Sequence, residues 1–178
     1  MQLRHFFITL SIISLFFLSF SLNAHAARRV SETGTELGRY APPITLADLT
    51  GRTISLESLR GQVVLLNFWS SLCSPCKAEM PSMNRLYEAL KEKGFQVVTV
   101  AIDSSDGPVR EFAAKNNIAF TILLDRGKEV FSEEYAAPSL PATYLLDRNG
   151  VIVEKFSGLQ VWDAPEMKNR LLLVLAKR

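Results

Sequence analysis

Both cysteines of the chain stand in one four-residue stretch, Cys73-Ser74-Pro75-Cys76, where an apolar strand-like run from Val63 to Trp69 gives way to a helix-like segment. Two thiols at this spacing can close a disulfide across the first turn of a helix. There the unpaired N–H groups and the positive dipole end favour a thiolate at Cys73. The chemistry this implies is dithiol–disulfide exchange. Haem attachment needs His directly after the second Cys, where this chain has Lys77. A zinc site needs four ligands, and no further Cys remains. The two histidines, His5 and His25, fall in an N-terminal stretch that reads as removable. No metal is expected, and no cofactor beyond the Cys73–Cys76 pair. A purely structural staple closing so short a loop would restrict the unfolded chain only slightly.

Arg4 precedes a charge-free apolar run from Phe6 to Leu22, and Ala24-His25-Ala26 offers the small-x-small pattern of a signal peptidase site. Residues 1–26 are therefore expected to be a signal peptide, with the mature chain beginning at Ala27. The alternative is an uncleaved N-terminal membrane anchor, since the run is only a little short of the ~20 residues that span a bilayer. Either way the remainder is expected in the periplasm or another extracytoplasmic space. No cysteine stands at the cleavage site to carry a lipid.

Taking residues 1–26 from the 178 leaves 152, enough for one domain with a sizeable core. Formal charge falls from +2 to +1 with the loss of Arg4, and acidic and basic residues are interspersed. That balance leaves no footprint for nucleic acid or for acidic substrates. Residues 27–39 read as a linker ahead of a single domain over 40–178.

Within that domain, Ile44 to Leu49 and Arg52 to Leu56 flank Thr50-Gly51, a hairpin signal. The near-continuous apolar content of Gln62 to Trp69 predicts a central strand covered on both faces. A helix then runs to about Lys93. Cys76, Met80, Met83, Leu86, Tyr87 and Leu90 recur at helical spacing along one face, and Pro81 interrupts it. Phe95 to Ile102 is a second buried strand, followed by a loop to Gly107 and a helix opening with Pro108. Phe120 to Leu124 is a third strand and Lys128 to Tyr135 a short helix. Ala142 to Leu146 and Val151 to Phe156 bracket a turn at Asp147-Arg148-Asn149-Gly150, and an amphipathic helix over about Ala164 to Ala176 closes the domain. This alternation predicts an α/β sheet with one antiparallel edge.

The order Phe68-Trp69, Cys73-Ser74-Pro75-Cys76-Lys77, Glu79-Met80-Pro81, Leu140-Pro141-Ala142-Thr143 and Asp147-Arg148-Asn149-Gly150 resembles the TlpA/ResA-type thiol–disulfide oxidoreductases of the thioredoxin superfamily. The likeness covers about residues 40 to 177. It implies an α/β thioredoxin fold with an N-terminal β-hairpin and an inserted helix–strand unit at about Pro108 to Leu124. It also implies exported proteins that reduce disulfides of client proteins, many in cytochrome c maturation. Such an enzyme would work as a monomer and be recharged by a thiol electron donor in the membrane.

Against that background Cys73 is the expected nucleophile and Cys76 the resolving thiol. Glu79, three residues after Cys76, is the expected acid–base group, because the resemblance places a modulating carboxyl there. Thioredoxin carries a buried Asp six positions before the first Cys, and that position is Asn67 here, which cannot titrate. The resemblance implies a cis bond between Leu140 and Pro141 that sets their backbone beside the cysteines. With Trp69, Leu72, Ser74 and Pro75 they form the expected client-binding rim. Leu72 departs from the aromatic residue usual before the first Cys, which bears on client choice and redox potential.

Two other functions compete. A peroxiredoxin would carry Pro-x-x-x-Thr-x-x-Cys, and this chain offers Leu66 and Ser70 ahead of Cys73. A non-catalytic partner-binding module would make both thiols incidental, and replacing Cys73 separates it from an enzyme.

Overall fold

The structure, a computed structural model, describes residues 33–177. The signal peptide or anchor expected over 1–26, and the first part of the expected linker, lie outside the described residues. Among the described residues no helix is long and apolar enough to cross a membrane. The compact unit begins at Thr33 rather than at residue 40. Gly38 N–H donates to the Ile152 carbonyl at 2.8 Å and Ile152 N–H to Arg39 at 2.9 Å. The second half of the expected linker is thus tied to the domain by backbone hydrogen bonds.

Strand β1 (Thr45–Ala47) pairs antiparallel with β2 (Thr53–Ser55) in a small separate sheet. The turn between them is shaped by Asp48, whose Oδ1 accepts from the N–H groups of Thr50 at 2.8 Å and Arg52 at 3.0 Å. Asp147 does the same for the second hairpin, accepting from Asn149 and Val151 N–H, both at 2.9 Å. Such side chains replace missing backbone partners in a tight turn. That second turn also needs Gly150 at φ +74, where a Cβ would run into the Arg60 side chain.

The main sheet holds β3 (Val63–Trp69), β4 (Phe95–Ala101), β5 (Thr121–Leu124), β6 (Ala142–Leu146) and β7 (Ile152–Ser157) in the order β5-β4-β3-β6-β7. β3 is apolar except at Asn67 and buried along its whole length, as its central place requires. β4 runs parallel to β3 and β5 parallel to β4, while β6 is antiparallel to both β3 and β7. The antiparallel strand is therefore internal, not the sheet's edge as the element order suggested. The turn at 147–150 returns the chain outside β6, so β7 takes the edge.

Alternation along β3 divides the core. Val63, Leu65 and Trp69 pack against α1 (Ser74–Leu90) and α3 (Pro165–Ala176), while Val64, Leu66 and Phe68 join the opposite core with Ile44, Leu56 and Tyr135. α1 continues through Pro81, and its Cys76, Met80, Met83, Leu86 and Leu90 are buried as their spacing predicts. The helix between α1 and α3 in sequence, α2 (Asp106–Lys115), starts two residues before the expected Pro108. Proline fits the first turn of a helix without having to open it. Over the expected helix at 128–135 the chain makes a single π-helical turn, Val130–Glu134. α2 and β5 together are the helix–strand unit inserted between β4 and β6.

Candidate active site

α1 begins where β3 leaves the sheet. Cys73 is its N-cap, and Cys73 Sγ accepts the backbone N–H of Cys76 at 3.2 Å. This N–H is one of the donors that a helix start leaves unpaired. A thiolate at Cys73 would meet that donor and the positive end of the helix together. Cys73 and Cys76 are joined in a disulfide with Cα atoms 5.3 Å apart. Cys73 is half-buried and Cys76 is fully buried, so one sulfur is open to attack and the other lies behind it. Pro75 occupies the first turn, where its missing N–H costs nothing.

The turn ahead of Cys73 is pinned from β4's end. Asp103 accepts the Ser71 N–H at 3.0 Å and the Ser71 hydroxyl, a tie that crosses 32 residues and that the sequence reading missed. Beside it opens a cleft of about 470 Å³ whose walls include Leu72, Cys73, Ile102, Asp103, Lys128 and Leu140. Leu72 is 88% exposed at its rim, and Ser74 and Pro75 are exposed beside the disulfide. The Leu140–Pro141 bond is cis. Leu140 lines the cleft, while Pro141 is buried and its carbonyl accepts the Gly158 N–H at 3.0 Å.

Trp69 departs from the expected rim. It is wholly buried, its ring 5.3 Å from that of Phe112 on α2. As the last residue of β3 it points into the core, so it supports the Cys73 turn from beneath and offers a client no surface. Leu66 is also fully buried, on the opposite side of β3 from Asn67. The Ser70 hydroxyl accepts the Leu72 N–H at 3.2 Å. Among the described residues no group of three or more His, Cys, Asp or Glu is placed to hold a metal ion.

Glu79 lies one helical turn beyond Cys76 and is only 1% exposed. Its Oε1 accepts from Asn67 Nδ2 at 2.8 Å and its Oε2 from the Gln160 N–H at 3.1 Å. The Trp162 indole N–H lies close enough to lower its pKa without completing a hydrogen bond. Burial outweighs these donors and pushes the carboxyl up to about 7. A group poised there can take or give a proton near neutral pH. Two further ties lie along α1: Ser82 Oγ accepts the Trp162 N–H at 3.1 Å, and Arg85 meets Asp163 at 2.6 Å. The 160–163 segment is thereby clamped over Glu79. Asn67, set aside above because it cannot titrate, is the residue that positions the one that can. Its polarity within an otherwise apolar strand was the available signal.

A thioredoxin-type sheet with an inserted α2–β5 unit and a redox-competent cysteine pair capping α1 defines the class, a thiol–disulfide oxidoreductase. The AhpC/TSA family model matches residues 37–155. Thiol-disulfide oxidoreductase ResA of Bacillus cereus is 37% identical over 125 residues, covering 70% of this chain and 72% of that protein. ResA of Halalkalibacterium halodurans is 31% identical over 155 residues, covering 87% and 88%. Among solved structures, a Chlorobium tepidum protein assigned as thiol:disulfide interchange protein DsbE superposes with a TM-score of 0.74 at 32% identity. That match covers 80% of this chain and all of that one. The thioredoxin domain of a Bacteroides vulgatus thiol-disulfide oxidoreductase gives 0.70 at 29% identity, covering 78% and 98%. The chain belongs to the AhpC/TSA family and, within the thioredoxin superfamily, to the thiol–disulfide oxidoreductases of ResA type.

Proposed function

We propose that the protein is an extracytoplasmic reductant of disulfides in client proteins, with Cys73 as nucleophile, Cys76 as resolving thiol and Glu79 as acid–base group. The observation that carries this reading is the asymmetry of the pair: an accessible Cys73 sulfur on a helix-start N–H, and a buried Cys76 backed by a buried carboxyl. In the reduced enzyme the Cys73 thiolate attacks one sulfur of a client disulfide, forming a mixed disulfide and releasing the client's other thiolate. Glu79 accepts the Cys76 proton, and the Cys76 thiolate attacks Cys73 Sγ. The second client sulfur leaves, and two electrons have passed to the client. The enzyme ends with the Cys73–Cys76 disulfide.

Leu72 and Leu140, which line the cleft with Cys73, and exposed Ser74 and Pro75 would receive the client chain, with buried Pro141 setting the cis bond behind Leu140. The apolar run and small-x-small site of residues 1–26 support export, and the ResA-type relationship supports a role in cytochrome c maturation with a membrane thiol donor. A peroxidase reading is not favoured, because Leu66 is a core residue on the other side of β3 and Ser70 Oγ is engaged by Leu72 N–H.

The equilibrium potential against glutathione tests the direction of transfer. Thioredoxin-like pairs range from roughly −270 mV for reductants to −120 mV for oxidants. Ser74-Pro75 lacks a His between the cysteines, as found in strong oxidases, so a value toward the reducing end is expected. A value near −120 mV would overturn the reductant role.

A further inference from the structure

Asn67 is fully buried and its amide is only half satisfied. Nδ2 donates to Glu79 Oε1 at 2.8 Å and to Thr143 Oγ1 at 2.8 Å, while Oδ1 is buried with no hydrogen-bond partner. The arrangement suits one charge state of its neighbour. An ionised carboxylate can only accept, so it takes Nδ2. A protonated carboxyl has an O–H to place, and the unpaired oxygen of the Asn67 amide lies on the group it already touches. A half-turn of that amide exchanges oxygen and nitrogen with almost no change of shape. Thr143, paired with Asn67 across β3 and β6, adapts because a hydroxyl donates as readily as it accepts.

We propose that Asn67 is a positioning residue whose amide turns over with the charge of Glu79. Nδ2 faces Glu79 and Thr143 when the carboxyl is ionised, and Oδ1 accepts from the Glu79 O–H and the Thr143 hydroxyl when it is protonated. The proton resides on Glu79, and Asn67 neither gains nor loses one. The inference rests on the acid–base reading of Glu79 and deepens it. A buried carboxyl that must hold both charge states in turn needs a neighbour able to serve each. No charged side chain contributes to the Glu79 shift. Facing it are Asn67 from β3 and the Gln160 N–H and Trp162 indole from the segment after β7, while Cys76 stands one turn earlier on α1. Because burial holds the carboxyl near neutrality, both states are populated in the working range.

The test follows the Asn67 side-chain amide and the Glu79 carboxyl carbon by NMR over about pH 5 to 9, spanning the shifted carboxyl. The protein is kept oxidised so that no thiol titrates. Both Asn67 amide protons should move with the midpoint of the Glu79 carbon, and neither should move in Glu79→Gln. A purely structural asparagine also feels the charge of its neighbour but keeps its amide-proton NOEs to Thr143 at both ends of the range, whereas turnover loses them as Glu79 is protonated. A static Asn67 amide beside a titrating Glu79 overturns the turnover and leaves the acid–base reading standing. A Glu79 carboxyl fixed in one charge state across the range overturns both.

Discussion

On one side of β3, Phe68 meets the rings of Tyr135 at 4.8 Å, Phe131 at 5.8 Å and Tyr144 at 6.2 Å, in a core whose strand residues are Val64, Leu66 and Phe68. On the other, Val63, Leu65 and Trp69 flank Asn67, which reaches across to Glu79 on α1 and Thr143 on β6. Both sides are buried. The aromatic side still contains a polar group, the Tyr135 hydroxyl, but it donates to the Pro42 carbonyl at 2.9 Å and burial pushes its pKa up, further from the physiological range. On the α1 side burial brings a carboxyl into that range instead. The same desolvation locks a phenol neutral and makes a carboxyl titratable at neutral pH, because their ordinary pKa values lie on opposite sides of 7. A two-residue period thus separates a stability face from a chemical face within one strand.

If that separation holds, changes on the two sides should have unlike signatures. Cys73→Ser keeps a good N-cap and should reduce turnover to background, with the stability of the reduced protein nearly unchanged. Assaying insulin reduction alongside a denaturant melt checks both halves. Phe68→Ala should do the reverse, costing about 3–5 kcal/mol of stability through the cavity it leaves. The alkylation pKa of the thiols in the surviving folded protein should match the parent. A shifted thiol pKa would show that the two faces are coupled.

Glu79→Gln is the finest probe, since it alters charge alone. The carboxyl's pKa rises from 4.5 unfolded to about 7 folded, so the folded state binds more protons between these values. Its contribution is fully present below pH 4.5 and is lost as pH rises through 7, a swing on the order of 3 kcal/mol. Denaturant midpoints of the oxidised parent should therefore fall between pH 4.5 and 8 relative to those of Glu79→Gln. In the reduced protein the same variant should lower the apparent thiol pKa, since a nearby carboxylate opposes thiolate formation. It should also slow exchange near neutral pH. Identical titration and turnover in both proteins would make Glu79 a bystander.

Much of the molecule was legible before any coordinates. The cysteine pair, the helix it caps, the buried stripe of α1, the strand at 63–69 and both hairpins follow from spacing and turn chemistry acting over a few residues. Where local rules were less decisive the boundaries moved: Pro108 sits inside the first turn of α2, and the antiparallel strand is the internal β6. Sheet order depends on where a connection lands rather than on its own composition. Trp69 shows the same limit. Its place next to the motif suggested a client contact, and the alternation of β3 turned it into the core.

The chain by itself determined that a redox-active pair caps a helix in an α/β domain, because helix capping, periodicity and proline placement are short-range effects. Only the tertiary structure decided the environment of that pair. Glu79 is separated from Asn67 by 12 residues and from Gln160 by 81, and Asn67 from Thr143 by 76. What joins them is the register of β3 against β6 and the seating of α1 and the 160–163 segment upon the sheet. A carboxyl's pKa is set by the water it loses and the donors it finds, and both are properties of the assembled fold.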